Sequence, residues 1–378
     1  MKGCFLFIAA ALLVACTEGG EPARSVPQAA AGYLDYSGRD DVLSGGVKMV
    51  PVATPAGDFR VWTKRVGNNP RVRVLLLHGG PGMTHEYLEA FDSYFPAAGI
   101  EYYYYDQLGS FYSDQPDAPE LWNIPRFVEE VEQVRLALGL DADNFFLFGH
   151  SWGGALVLEY ALKYQQHLKG LIVSNMMASG PAYQKYAEDV LMPEMDPAVL
   201  AEVKAIEAAG DSENHRYMEL LMPPMDQDVL AEIKRLEATG DTENPRYMEL
   251  LVPHHYEQHI LRMPAASWPD PVNRGIAHVN PAVYVPMQGP SELGISGVLG
   301  SWDRSGDLGR IAVPTLMIGA RYDTMDPAYM SWMAEQVQNG TYLYSDTGSH
   351  LAMYDDQQVY FDGLIEFIRS VSGAPAGG

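Results

Sequence analysis

The chain of 378 residues is 47% apolar and 20% charged, enough for a large core and too apolar for disorder. Its 25 basic and 49 acidic residues leave a formal charge of −24, a surface that repels phosphate backbones and excludes nucleic acid as a partner. The two cysteines form no CxxC pair or zinc-finger spacing, and beyond the N-terminus no apolar run of about 18 residues marks a membrane span.

The chain opens with Lys2 and an apolar stretch from Phe5 to Ala15, the dimensions of a signal h-region. It closes on Leu13-Val14-Ala15-Cys16, which resembles the lipobox of bacterial lipoproteins. The resemblance implies a lipoprotein signal peptide over residues 1–16 and acylation of Cys16, whose several chains suffice for stable anchoring. Thr17 in place of an aspartate implies the outer membrane, on its periplasmic side, in a Gram-negative cell. Membrane contact is then expected through the lipid alone. Cleavage removes Cys4, so no internal disulfide is expected. Residues 17–45, rich in Gly, Ala, Pro and Ser, read as a flexible tether.

From residue 46 strands and helices alternate. Apolar runs at Val72–Leu77, Ile100–Tyr105, Phe145–Phe148, Leu171–Val173, Thr315–Ile318 and Thr341–Tyr344 suit buried parallel strands. Helical patterns lie between them, notably Ile124–Leu138 and Ala155–Tyr164. The pattern predicts an α/β fold, a mostly parallel sheet covered on both faces, built from residues 46–180 and 306–372. The tyrosine run at 102–105 belongs to one of its strands. Residues 181–305 break the rhythm and read as a helical cap. Within it, residues 192–221 and 222–251 match at 21 of 30 positions, a tandem duplication. His255 and His259 are one helical turn apart, but with no third ligand indicated they read as part of a polar cap helix.

The chemistry concentrates in three places. Gly149-x-Ser151-x-Gly153 follows a strand and precedes a helix, the context in which small residues let the chain turn sharply and expose a serine nucleophile. A serine hydroxyl needs an imidazole to take its proton, and His350 is the only histidine after the candidate acids. Asp323, at a strand end, is preferred as the orienting acid over Asp326 and Asp346. Third, His78-Gly79-Gly80-Pro81-Gly82 follows an early strand. An oxyanion hole needs one backbone N–H after the nucleophile, which Trp152 supplies, and one from such a loop, from Gly79 or Gly80. Of these Gly80 is favoured, and His78 is expected to hold the loop rather than transfer protons.

Together HGGPG, the Asp106-Gln107-Leu108-Gly109-Ser110 turn, GHSWGG, GARYD and GSH resemble the proline iminopeptidase family of α/β-hydrolases, over roughly residues 50–370. The resemblance implies an α/β-hydrolase fold with a helical cap and a cofactor-free serine aminopeptidase that releases an N-terminal residue, often proline, through an acyl-enzyme. It implies Ser151 as nucleophile, His350 as base and then acid, and Asp323 as its orienting group. It also implies that Glu292 receives the free amino group of the substrate, since a desolvated ammonium needs a charged partner. One departure stands out: Phe111-Tyr112 follows Ser110 where the family carries a glycine, which predicts a bulky ring near the active-site mouth. The same machinery could also serve an amidase, esterase or lactonase of small acyl substrates. The oligomeric state is not legible in the sequence.

Overall fold

The computed structural model describes residues 32–187, 189, 257–289, 295 and 297–373. Its sheet has eight strands: β1 (Val47–Thr54), β2 (Gly57–Val66), β3 (Arg73–Leu77), β4 (Glu101–Asp106), β5 (Phe145–His150), β6 (Gly170–Ser174), β7 (Thr315–Ala320) and β8 (Gly340–Ser345). They lie in the order β1-β2-β4-β3-β5-β6-β7-β8. From β4 to β8 all neighbours are parallel, while β2 runs antiparallel to both β1 and β4. All six apolar runs form strands. The β1–β2 hairpin was not anticipated, because only Val50, Val52, Val61 and a few neighbours of its 18 residues turn inward.

The longer helices are α1 (Ile124–Leu138), α2 (Trp152–Tyr164), α3 (Gly180–Tyr186), α4 (Asp270–Ala277), α5 (Pro281–Gln288), α6 (Pro327–Gln336) and α7 (Gln357–Ser372). Asn123 caps α1 by accepting the Arg126 N–H, and Gly139, at φ 64°, ends it in the left-handed conformation.

The pleat divides each central strand between two cores. Leu75, Leu77, Tyr103 and Tyr105 pack with Val131 and Val134 of α1 and Ala155 of α2. Val74, Leu76, Tyr102 and Tyr104 pack on the opposite face with Tyr360, Phe361 and Leu364 of α7. A sheet buried on both faces accounts for runs that are apolar throughout.

The tether boundary differs from expectation. Residues 32–45 are packed onto the core rather than free of it. The Tyr33 hydroxyl donates to the Ile100 carbonyl at 3.0 Å, and Arg65 forms a two-pronged, buried ion pair with Asp41. Arg39 adds a second ion pair, to the buried Glu101 of β4, and composition could not show this, because one aromatic ring and a few ionic contacts do the anchoring.

Of the cap, α3 and residues 257–305 are largely described, and they bind the core at several points. The α4 residue Arg274 bridges Glu86 and Glu89. Asn280, which caps α5, donates its N–H to the Gly82 carbonyl at 2.9 Å and its amide to the Gly109 carbonyl at 2.7 Å. The duplicated segments, Glu292, His255 and Cys16 lie outside the described residues. Among the described residues no helix is long and apolar enough to cross a membrane.

Candidate active site

The candidate nucleophile, base, acid and glycine loop lie at the C-terminal edge of the parallel strands, where open α/β sheets place their ligand sites. Ser151 joins β5 to α2 at φ 55° and ψ −128°, a conformation that an L-residue adopts only when its surroundings enforce it. The flanking glycines make the turn possible. A Cβ on Gly149 would collide with the Gly153 carbonyl, and one on Gly154 would lie 2.6 Å from Met176 Cβ. Gly149→Ala is therefore expected to destabilise the fold by about 3 kcal/mol through overpacking alone. Urea denaturation of the purified variant would measure it.

The acid is decided by burial and partners. Asp323, with no exposed surface, accepts from His350 Nδ1 at 2.7 Å. Its other oxygen accepts from the Asn175 amide at 2.7 Å, and the Met325 N–H adds a third donor at 3.1 Å. Asp326 instead caps α6 through the Ala328 N–H, and Asp346 pairs with Arg321 at the surface. Asn175 follows β6 at φ 53°, one of two non-glycine residues with positive φ among those described. Sequence reasoning missed it, although asparagine is among the few residues that tolerate this conformation.

Three further side chains missed by sequence reasoning organise the oxyanion loop. Gly79 passes so close to the elbow that a Cβ on it would sit 2.6 Å from Ser151 Cβ. Its N–H donates to the Tyr87 hydroxyl at 2.6 Å, so Gly80 carries the next N–H of the loop. His78 Nε2 accepts the Gln107 N–H at 3.1 Å. A neutral ring then carries its proton on Nδ1, which lies 3.0 Å from the Gly79 carbonyl and donates to it. That carbonyl belongs to the peptide bearing the Gly80 N–H, so His78 sets the orientation of the candidate oxyanion donor, in keeping with a holding role. Gln107 ties the two halves together. Its amide donates to the His78 carbonyl and its oxygen accepts from the Trp152 indole at 2.8 Å. Trp152 begins α2, where backbone N–H groups have no intrahelical acceptor. His150 is the third, set between Tyr87 and the backbone of His350.

Burial pushes His78 down to about 4 and His150 well below the ordinary histidine value. Both rings are neutral in the fold and take up protons on unfolding, so the unfolded state binds more protons as pH falls below about 6.5. Stability is expected to be full well above that pH and to decline as pH falls from there toward about 4, the folded value of His78. Urea midpoints at pH 7.5, 6.5 and 5.5 would record the slope.

Phe111 stacks on the His278 ring with centroids 3.8 Å apart and planes 12° apart, and the Tyr112 ring lies tilted against Phe111 at 4.2 Å. The ring thus sits at the joint between the β4 loop and the cap. His278 in turn bonds the buried Glu86 at 2.6 Å. The ring of His259 Nδ1 donates to the Tyr322 carbonyl at 3.1 Å, and its own carbonyl accepts the His350 N–H at 2.9 Å. The chain leaving the cap therefore touches both the acid loop and the base loop. Among the described residues no group of three or more potential ligands could hold a metal ion.

An elbow serine, a buried Asp–His pair and a glycine loop at the strand ends define an α/β-hydrolase, and residues 72–357 match the family model described as the alpha/beta hydrolase fold. The chain is 56% identical over 325 residues to a proline iminopeptidase of Elizabethkingia meningoseptica, covering 85% of this chain and 98% of that one. It is 53% identical over 324 residues to a proline iminopeptidase of Flavobacterium johnsoniae, covering 86% and 98%. A crystal structure of a proline iminopeptidase from Mycobacterium smegmatis has a TM-score of 0.64, covering 86% of this chain and 98% of that one. At 23% identity that likeness shows the fold alone. The chain belongs to the proline iminopeptidase family.

Proposed function

We propose that the protein is a serine aminopeptidase releasing N-terminal proline, or another small apolar residue, from short peptides. The observation that carries this reading is the buried Asp323–His350 pair beside the strained elbow serine. With His350 Nδ1–H donated to Asp323, Nε2 is the nitrogen that receives the Ser151 proton as Oγ attacks the carbonyl of the N-terminal residue. The developing oxyanion is stabilised by the N–H groups of Gly80 and Trp152. Protonated His350 then gives its proton to the departing amine, leaving an acyl-enzyme. Water, deprotonated by His350, releases the amino acid and restores Ser151. Asp323 stays ionised throughout and stabilises the imidazolium.

The proposal includes Glu292 as the partner of the substrate ammonium, and lipidation of Cys16 as the means of holding the enzyme at the periplasmic side of the outer membrane. The lipobox-like sequence and the signal-like N-terminus support the second part. The high identity to relatives named for proline release supports the substrate class.

The soluble form lacking residues 1–16 tests the activity. Proline anilide is expected to turn over and N-acetyl-proline anilide to resist, because the blocked amine has no charge to pair. Turnover of the acetylated substrate or of a short-chain ester alone would replace the peptidase reading with an amidase or esterase. Incorporation of labelled palmitate into the full chain, lost in Cys16→Ser, tests the anchor.

A further inference from the structure

His150, the last residue of β5, fills the open position before the elbow serine in the GxSxG motif. It is 1% exposed, and each of its ring nitrogens faces one polar group. Nε2 lies 2.8 Å from the main-chain carbonyl of His350. A carbonyl can only accept, so Nε2 carries the proton. Burial, reinforced by the neighbouring His350, keeps the ring neutral, so Nδ1 is bare and must accept. Its partner is the Tyr87 hydroxyl at 3.1 Å. That hydroxyl gives its proton to Nδ1 and so has only its oxygen to offer the Gly79 N–H, which it accepts at 2.6 Å. Each donor and acceptor in the series has one consistent assignment. The order runs from the Gly79 N–H through Tyr87 and His150 to the backbone of His350.

From this we propose that His150 and Tyr87 are positioning residues that lock the oxyanion loop to the loop bearing the catalytic base, with His150 held as its Nε2–H tautomer. The proposal rests on the roles given above to Ser151, His350 and the Gly79–Gly80 loop. Its physical content is a fixed spacing. The Gly80 N–H and the His350 ring must both meet one tetrahedral centre on Ser151, and displacement of either by a fraction of an ångström weakens the transition state more than the bound substrate. Neutrality matters as well. The His150 and His350 rings are 4.8 Å apart between centroids, and a charged His150 would oppose the imidazolium that forms during acylation. The other main-chain group of His350, its N–H, is held by the His259 carbonyl, so the base is suspended between the elbow and the cap exit.

Tyr87→Phe removes one oxygen and leaves the packing of the ring intact. Active sites are first counted with a fluorophosphonate, whose attachment to Ser151 is verified by peptide mapping. Per titrated site, kcat for proline anilide is expected to fall about 10- to 100-fold, with KM within about twofold, less than the loss of a direct oxyanion donor. Nitrogen-15 spectra of histidine-labelled enzyme are expected to show His150 protonated at Nε2 in the wild type, without titration between pH 6 and 8. His150→Gln, whose amide offers one donor and one acceptor, is expected to retain more activity than His150→Leu. Unchanged kcat per titrated site in Tyr87→Phe would overturn the proposal, leaving the hydroxyl a mere packing group. So would an Nδ1–H tautomer. If the phosphonate does not attach to Ser151, it is the underlying nucleophile assignment that fails.

Discussion

Replacing Ser151 with alanine is expected to lower kcat on proline anilide by at least about 10⁴-fold, with little change in urea midpoint. A triad without its nucleophile keeps only the oxyanion hole and the binding energy, which sustain a small residual rate over water. Ser151 sits at φ 55° and ψ −128°, and alanine is as strained there as serine, so the elbow is neither relieved nor further burdened. The hydroxyl forms none of the contacts that hold the elbow: the Ser151 N–H donates to the Ser174 carbonyl, and the Ser151 carbonyl accepts from the Gly154 and Ala155 N–H groups. Stopped-flow and steady-state assays of the variant, with its urea midpoint beside the wild type, would separate the two effects. A rate loss below about 100-fold would deny Ser151 the nucleophile's place.

The second large effect is expected at the acid. Asp323→Asn preserves volume but reverses one hydrogen bond. Asp323 presents Oδ1 to His350, Met325 and Thr324 and Oδ2 to the Asn175 amide. All of these partners donate, so an acceptor-only carboxylate satisfies every one. An asparagine must aim its NH₂ either at the Asn175 amide, donor against donor, or at His350 Nδ1. In the second arrangement the imidazole is driven to the tautomer with its proton on Nε2, the nitrogen that must accept from Ser151. A loss of about 10⁴ in kcat is expected, as for the same change in other serine triads. Asn175→Ala is expected to be milder, about tenfold, because Asp323 keeps His350 and loses one of its other donors. The ratio of the two, measured on proline anilide at saturating substrate, distinguishes an orienting carboxylate from a merely buried one.

How much of this was legible beforehand follows from the distance between partners along the chain. Ser151 and its glycines are consecutive and follow an apolar strand, so the elbow is written locally. Asp323 and His350 are each placed by the strand before them, which made their positions readable though not their hydrogen bond. The strand end already favoured Asp323 over Asp326, three residues on, and the structure adds the reason, its burial against the imidazole. Tyr87, Gln107 and Asn175 were illegible for a related reason. Gln107 stood in a turn already singled out, but for all three the role lies in a partner dozens to hundreds of residues away, such as His150 for Tyr87. His150 occupies a variable place in the motif, where the pattern itself asks nothing. The β1–β2 hairpin escaped notice because Lys64 and Arg65 interrupt its apolar signal, although Arg65 is buried against Asp41.

The stitching of the cap's return to the core also bears on how the chain can lengthen. On the outgoing side the Gly180 N–H is held by the Trp302 carbonyl. On the incoming side the carbonyls of His259 and Ile260 accept from His350 and Leu351. The stretch between these pinned ends contains both thirty-residue copies of the repeat. The entropy of closing a loop between fixed ends grows only as the logarithm of its length, about 0.6 kcal/mol for each doubling. A second copy therefore adds little to the cost of bringing these two pinned ends together. Two stitched ends make that interval a place where evolution can double a segment and leave the geometry of the base loop untouched.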